Sequence, residues 1–262
     1  MKILSYNILN PYHAVKWRTA EGLDEAGQDN WGAWRAEAVL ENLEAGDFDV
    51  ICLQELNTEN LAWLTERYEL ASHALHETDE PLGAHGTAVM YRPERVELVA
   101  SYAASSGGSP ERFGASADLR HKASGRVIRC LSVHLKGYNP YEEDLELKRA
   151  SQRTGDQELA RYVTWALNER LEGVDGLAIL GDFNEDEREM SRESSRQAVL
   201  LERGFQWDGV CDVTETRTGR KIDWAFYRAL SSRGAAQLHH ARPQQRLEAS
   251  DHALTGLSLD FK

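Results

Sequence analysis

Cysteine is scarce in this chain. Cys52, Cys130 and Cys211 are its only three, and none stands in a Cys-x-x-Cys pair. An odd count without paired spacing argues against a disulfide framework. Two of the three fall inside apolar strand patterns, as small buried hydrophobes do. A strongly basic run is also missing: 30 Lys and Arg stand against 43 Asp and Glu, for a formal charge of −13. Generic binders of long duplex DNA rely on clustered basic residues that neutralise phosphates and release counterions, so the composition counts against that class. It does not count against an enzyme acting on phosphates, because bound metal ions can dominate a local field. No uninterrupted apolar stretch approaches the length needed to cross a bilayer, and the first strand follows Met1 without a charged and apolar leader. No stable membrane association and a cytoplasmic location are therefore expected. No internal repeat is apparent.

What is present is concentrated at the ends of apolar runs. Ala178-Ile179-Leu180-Gly181 reads as a buried strand, and it ends in Asp182-Phe183-Asn184, a carboxylate and an amide where a tight turn begins. Ser250-Asp251-His252 places a carboxylate next to an imidazole before the apolar stretch Ala253–Leu259. Ile3-Leu4-Ser5-Tyr6 ends in Asn7, and Asp49–Leu53 ends in Gln54-Glu55. Ile128–Leu135 carries Ser132-Val133-His134, and Ile222-Asp223-Trp224 opens a further strand. Acid, amide and imidazole at strand ends are the groups that metal-assisted attack on a phosphate ester needs: one orients water, one hydrogen-bonds the phosphoryl oxygens, one handles protons.

Taken in order, Asn7, Gln54-Glu55, His134, Asp182 with Asn184, Asp223 and Asp251-His252 resemble the motifs of the endonuclease/exonuclease/phosphatase superfamily of metal-dependent phosphoesterases. Each motif alone is commonplace; the ordered set spans nearly the whole chain. The resemblance implies one catalytic domain over residues 1–262 and an α/β fold. That fold is a four-layer α/β sandwich of two packed, mainly antiparallel sheets flanked by helices, with the site at one end. It also implies a Mg²⁺ ion, with Mn²⁺ as a substitute, held chiefly by Glu55, with Asn7 and Asp251 in or just outside its shell. A hard divalent cation prefers oxygen ligands and needs only one or two protein carboxylates. By the same resemblance Asp182 orients or deprotonates the attacking water and Asn184 donates to a non-bridging phosphate oxygen. His252, held by Asp223, meets the phosphoryl group or its proton, and His134 stabilises charge on the phosphoryl or leaving oxygen. Base and acid roles among these groups stay open.

The expected substrate is RNA, an oligonucleotide or a nucleotide end. Tyr6-Asn7-Ile8-Leu9 followed by Trp17 and Arg18 is similar to deadenylase-like and 2′-phosphodiesterase-like members. The Gly-Asp-Met-Asn and Arg-Arg-x-Asp forms of abasic-site endonucleases are absent, with Phe183 and Lys221-Ile222-Asp223 in their places. The alternative is a small or lipid-linked phosphoester, as in inositol-phosphatase-like or sphingomyelinase-like members. A third reading, an inactive binding module, requires the loss of Glu55, His134, Asp182, Asn184 or His252, and all five are present.

Strands are expected at Lys2–Ile8, Val50–Glu55, Tyr68–Leu75, Thr87–Tyr91, Val96–Tyr102, Val127–Leu135, Leu177–Gly181, Ile222–Tyr227 and Ala253–Leu259. Helical spacing links Trp34, Ala38, Val39 and Leu43, with Gly46 at the C-terminal cap. Thr58 is read as the cap of a helix to about Arg67. A long helix is expected over Leu145–Leu171, and Ser194–Gln197 resembles a capping box. Asn10–Asn30, Ala104–Asp118 and Lys136–Glu146 read as loops bordering the site. Arg217–Lys221 reads as a solvated hairpin loop, with a phosphate grip as the alternative. The acidic groups Glu142-Glu143-Asp144 and Glu185-Asp186-Glu187 would repel a long polyanion if they lined the mouth.

Overall fold

A computed structural model describes residues 1–10, 33–76, 85–106, 113–137, 144–186, 195–207, 214, 219–241 and 249–261. The apolar runs become strands β1 (Lys2–Asn7), β2 (Val50–Leu56), β3 (Glu69–His76), β4 (His85–Tyr91), β5 (Val96–Ser105), β6 (Phe113–His121), β7 (Arg126–His134), β8 (Gly176–Asp182), β9 (Asp223–Ala229), β10 (Ala236–His240) and β11 (Thr255–Phe261). Helices α1 (Ala33–Gly46), α2 (Thr58–Thr65), α3 (Leu145–Asn168) and α4 (Arg196–Glu202) lie between them. The strands form one sheet in the order β10-β11-β1-β2-β4-β3 and a second in the order β5-β6-β7-β8-β9.

Side-chain alternation explains the layering. Successive strand residues face opposite sides, so Ile51 and Leu53 of β2 pack with Val39 and Leu43 of α1 and Leu64 of α2. Val50 and Cys52 point the other way, into a core shared with Ala117 of β6, Cys130 of β7 and Ala178 of β8. On the far side, Leu177 and Ile179 meet Leu159, Tyr162 and Val163 of α3 and Leu200 of α4. Helix, sheet, sheet and helix are thus stacked as the resemblance implied. Each fully buried leucine or isoleucine in these layers contributes roughly 1.5–3 kcal/mol. Cys52 and Cys130 are free and buried, and burial raises both thiol pKa values. Cys211 lies outside the described residues.

Several local expectations need correction. Ala104–Asp118 is not a loop throughout, because β5 extends to Ser105 and β6 begins at Phe113. Its small residues serve the seam between the sheets. Ala115 and Ala117 are fully buried, a Cβ on Gly114 would lie 2.9 Å from the Ser132 carbonyl oxygen, and Ala115 N donates to Thr87 Oγ1 of the opposite sheet at 2.9 Å. Strand β10 was not expected; it is an edge strand of alternating, partly exposed residues paired only with β11. The cap of α2 is Asn57, which exchanges hydrogen bonds with Asn60 at 2.8 Å in each direction, and the helix stops at Thr65. The cap of α4 is Ser195, whose hydroxyl accepts from Ala198 N at 3.1 Å.

One buried ion pair joins β6 and β7 away from the site ends. Arg129 donates to Asp118 through Nε at 2.7 Å and Nη2 at 2.9 Å. Its guanidinium lies over the Tyr102 and Trp165 rings and reaches the carbonyls of Glu169 and Arg170 beyond α3. Removing one partner of such a pair strands the other as a buried charge. Arg129→Met is expected to cost about 3–5 kcal/mol, read as a lower urea midpoint. A cost below about 1 kcal/mol would mean that Asp118 is rehydrated or protonated at little expense.

Candidate active site

Chain direction gathers the polar strand ends at one edge of the sandwich. β1 and β2 run parallel with Asn7 opposite Gln54, and β7 and β8 run parallel with His134 opposite Asp182. β9 runs antiparallel to β8, so its first residue, Asp223, also lies opposite Asp182. Glu55 sits at an irregularity in the pairing of β2 with β4 and has φ of +60°. A bulge re-aims a side chain, and a non-glycine residue in the left-handed region marks a position held by its surroundings. Asn184 has the same kind of backbone, with φ of +51°. Gly181 permits the close approach of β8 to β7 just before Asp182: its φ is +149°, and a Cβ there would lie 1.9 Å from the Val133 carbonyl oxygen.

Asn7 is the hub. Its Nδ2 donates to Glu55 Oε1 at 3.0 Å and to Asp182 Oδ2 at 3.2 Å, while its Oδ1 accepts from Leu9 N at 3.0 Å. Glu55 Oε2 accepts from Asn10 N at 2.7 Å. His134 Nε2 stands 3.6 Å from Asp182 Oδ2 and 3.9 Å from Glu55 Oε1. His252 binds Asp223 Oδ2 through Nδ1 at 2.8 Å, which leaves Nε2 turned toward Asp182 Oδ2 at 3.9 Å and Asp251 Oδ1 at 3.8 Å. Ser250 Oγ donates to Asn7 O at 2.7 Å and accepts from His252 N at 3.1 Å, tying the Asp251-His252 turn to the end of β1. Asn184 N donates to Asp182 Oδ1 at 2.7 Å, and its Nδ2 to Leu135 O at 3.2 Å.

Burial and crowding set the charges. Asp182 is raised to about 7, first by burial and then by the neighbouring Asp223 and Glu55 carboxylates, against the lowering effects of His252 and the Asn184 N–H. Burial pulls His252 toward neutrality, but Asp223, Asp251 and Asp182 outweigh it, so the imidazole titrates well above its ordinary range. All eight sequence-expected residues are therefore brought to one end of the sandwich. Asp251 stands at the edge of the group, outside the two sets of ligand atoms that lie within 4.8 Å of one another, Glu55/His134/Asp182 and Asp182/Asp223/His252.

Supporting residues were harder to read. Gln54 bridges the sheets, accepting from Ser5 Oγ at 3.2 Å and donating to Ser132 Oγ at 2.9 Å. Ser132, two residues before His134 on a buried strand, was the available signal. Arg35 is buried. It donates to Ala249 O at 3.1 Å and to the Ile8 and Leu9 carbonyls. Burial lowers its pKa to about 10, despite the opposing charges of Tyr6, Glu55 and Asp251. Its place on the apolar stripe of α1, before Ala38 and Val39, was the sign. Lys221 is buried rather than solvated, with its ammonium 4.8 Å from the Trp224 ring centre and 5.7 Å from that of Trp207. Glu185 and Asp186 are buried too. Asp144 caps α3 by accepting from Glu146 N and Leu147 N. Residues 11–32, 138–143, 187–194 and 215–218, with His13, Trp17 and Arg18, lie outside the described residues.

The sequence profile of the Endonuclease/Exonuclease/phosphatase family matches residues 4–252. The chain belongs to this family. Members are phosphoester hydrolases, and so is this protein. Solved structures of the same fold include the human nocturnin catalytic domain with bound sulfate, at 18% identity and TM-score 0.67, covering 100% of this chain and 93% of that one. A mannosyl-6-phosphatase from Bacteroides thetaiotaomicron shares 17% identity with TM-score 0.66 and full coverage of both chains. TDP2 from D. rerio, complexed with a single-stranded DNA product, shares 17% identity with TM-score 0.63, covering 100% of this chain and 98% of that one. Comparison with curated proteins gives no match.

The family is metal-dependent, and the residues fit a hard divalent cation. Buried Glu55 and Asp182 offer oxygen donors on one side of the Asn7 amide. The pressure their crowding puts on the Asp182 carboxyl is what a cation relieves.

Proposed function

We propose that this protein is a Mg²⁺-dependent phosphodiesterase acting on RNA, oligonucleotides or nucleotide ends, by in-line attack of water on phosphorus. The observation that carries the chemistry is the meeting of Glu55, Asp182, His134 and the His252–Asp223 pair around Asn7. Glu55 would hold the ion, with Asn7 and Asp251 at the edge of its shell. When bound, the ion supplies Lewis-acid polarisation of the phosphoryl group and neutralises charge there. Asp182 receives or orients the proton of the attacking water, a task suited to a carboxyl that titrates near neutrality. Asp223 fixes the His252 ring with Nε2 toward the site, where it donates to a phosphoryl oxygen. His134 sits on the other side of Asp182, at 3.6 Å, to meet charge on the phosphoryl or leaving oxygen. Asn184 has two amide N–H groups; one binds Leu135 O, and the other would donate to the phosphoryl group.

The nucleic-acid preference draws on Tyr6-Asn7-Ile8-Leu9 with Trp17 and Arg18, and on the likeness of fold to TDP2, solved with a single-stranded DNA product. A small phosphoester is the second reading, favoured by the net charge of −13 and by the sugar-phosphatase neighbour. A 5′-labelled single-stranded RNA, incubated with Mg²⁺ or with EDTA and resolved by gel, separates them. Metal-dependent cleavage that disappears in His252→Ala is expected. An intact RNA at high enzyme concentration would sink the nucleic-acid reading and turn the search to small or lipid-linked phosphoesters.

A further inference from the structure

Arg196 has no place in the chemistry above, yet it is among the most deeply buried large side chains, with 1% of its surface exposed. Its guanidinium is spent mostly on backbone. Nη1 donates to the Phe183 carbonyl, Nη2 to the Lys136 carbonyl at 3.1 Å and the Gln152 carbonyl at 3.3 Å, and Nε to Asp156 Oδ1 at 3.0 Å. Phe183 lies between Asp182 and Asn184, and Lys136 lies two residues beyond His134. One side chain from α4 therefore ties together the turns after β7 and β8, and fastens both to α3.

The surroundings are built for this. α3 passes the guanidinium at Gly155, where a Cβ would lie 2.0 Å from Arg196 Nη2 and 2.7 Å from the Lys136 carbonyl oxygen. Glu158, one turn on, accepts from Lys136 N at 2.6 Å. The two turns meet on the side toward the site: Asn184 Nδ2 donates to Leu135 O at 3.2 Å, and a Cβ on Gly137 would lie 2.6 Å from Asn184 Oδ1. Buried carbonyls need donors, and only a planar guanidinium presents a fork of fixed N–H groups that serves several at once.

We infer that Arg196 is a positioning residue that sets the spacing of His134 and Asn184, the two groups that meet the phosphoryl oxygens from the second sheet. The inference rests on the proposed function for the meaning of that spacing, but not for its test. Glu55 and Asn7 are carried by the other sheet and Asp182 is held within β8 by its pairing with β7 and β9, so the metal side is largely independent of Arg196. A convergent pair displaced by about 1 Å can lose up to about a hundredfold in rate.

The test compares wild type, Arg196→Met, Arg196→Lys and Gly155→Ala, the last keeping the arginine but driving a methyl group into its place. Three quantities are read: Mn²⁺ affinity by water-proton relaxation, NMR signals of the Asn184 side-chain amide and the His134 and His252 rings, and kcat on bis(4-nitrophenyl) phosphate and RNA. In Arg196→Met and Gly155→Ala, the Asn184 and His134 signals move while those of His252 stay. kcat falls at least about tenfold, and Mn²⁺ affinity falls no more than about threefold. Lys at 196 does not restore the wild-type signals, because one ammonium cannot span the same acceptors. If the variants melt lower but keep wild-type Asn184 and His134 signals and wild-type kcat per folded molecule, Arg196 only holds the fold and the inference is overturned. Should Arg196→Met not fold, Gly155→Ala and Asp156→Asn carry the same comparison. A wild type inert toward both substrates would instead defeat the phosphodiesterase reading, and the NMR signals would still decide the role of Arg196.

Discussion

Replacing Asp182 by Asn is expected to give a protein that is more stable than wild type in EDTA at pH 8 and hydrolyses its substrate at least about a thousandfold more slowly. Asp182 is fully buried beside Asp223 and Glu55, and its carboxyl is raised to about 7. A carboxyl whose folded pKa exceeds its unfolded value penalises the folded state as soon as the unfolded chain can ionise, so the cost builds from about pH 4 and is complete above about pH 7. Asn keeps an oxygen for the Asn184 N–H and removes the charge, at the loss of the weaker bond from Asn7 Nδ2, which is 3.2 Å from Asp182 Oδ2. The gain at pH 8 should be about 1–3 kcal/mol, shrinking as pH falls below about 7 and gone near pH 4, where the unfolded chain is protonated at this position as well. Urea denaturation at the two pH values measures it. Added Mg²⁺ should stabilise wild type more than the variant. Equal or lower stability of Asp182→Asn in EDTA at pH 8 would show that hydrogen bonds to the carboxylate outweigh its crowding.

His252→Asn should fold, keep its metal, and lose about a thousandfold in kcat. The imidazole is held by one short contact, Nδ1 to Asp223 at 2.8 Å, and surrounded by enough negative charge to stay protonated. It is thus prepared to give a hydrogen bond or a proton from Nε2. A loss confined to kcat, with KM within about threefold, fits a contact that strengthens in the transition state. Single-turnover rates on any phosphoester cleaved by wild type decide the matter. A variant within about tenfold of wild type would remove His252 from the proton-handling role.

The site was legible in the sequence because its residues interrupt apolar runs. Asn7, His134 and Asp182 each end a strand whose preceding residues are plainly core, Glu55 stands one residue from the end of another, Asp223 opens a strand and His252 precedes one. Parallel pairing of β1 with β2 and of β7 with β8 does the rest. What was not legible involves residues whose chemistry points one way and whose surroundings point another. Gly114, Ala115 and Ser116 have loop composition, yet small size is what two sheets need to close on each other. Lys221 reads as part of a solvated loop, and Arg35, Arg129 and Arg196 are charges whose burial depends on carbonyls, carboxylates or rings mostly supplied by other elements of the fold. Strand β10 has Gln and His where a core strand would have Val or Ile, since an edge strand buries little. Asn57 and Thr58 both make good caps, and only backbone geometry selects between them.

The order of the strands has a consequence for when this protein becomes an enzyme. β1 pairs with β2 and waits for β11 as its second neighbour, and Asp251 and His252 are translated just before β11. Domains assemble as chain emerges from the ribosome, and Glu55, His134 and Asp182 are all made before the imidazole partner of Asp223 exists. A polypeptide released early, after β9, would carry most of the carboxylates and an unpaired flank of β1, but no His252 to complete the centre. The Asp223–His252 contact can therefore form only after the turn before β11 has followed β9 off the ribosome.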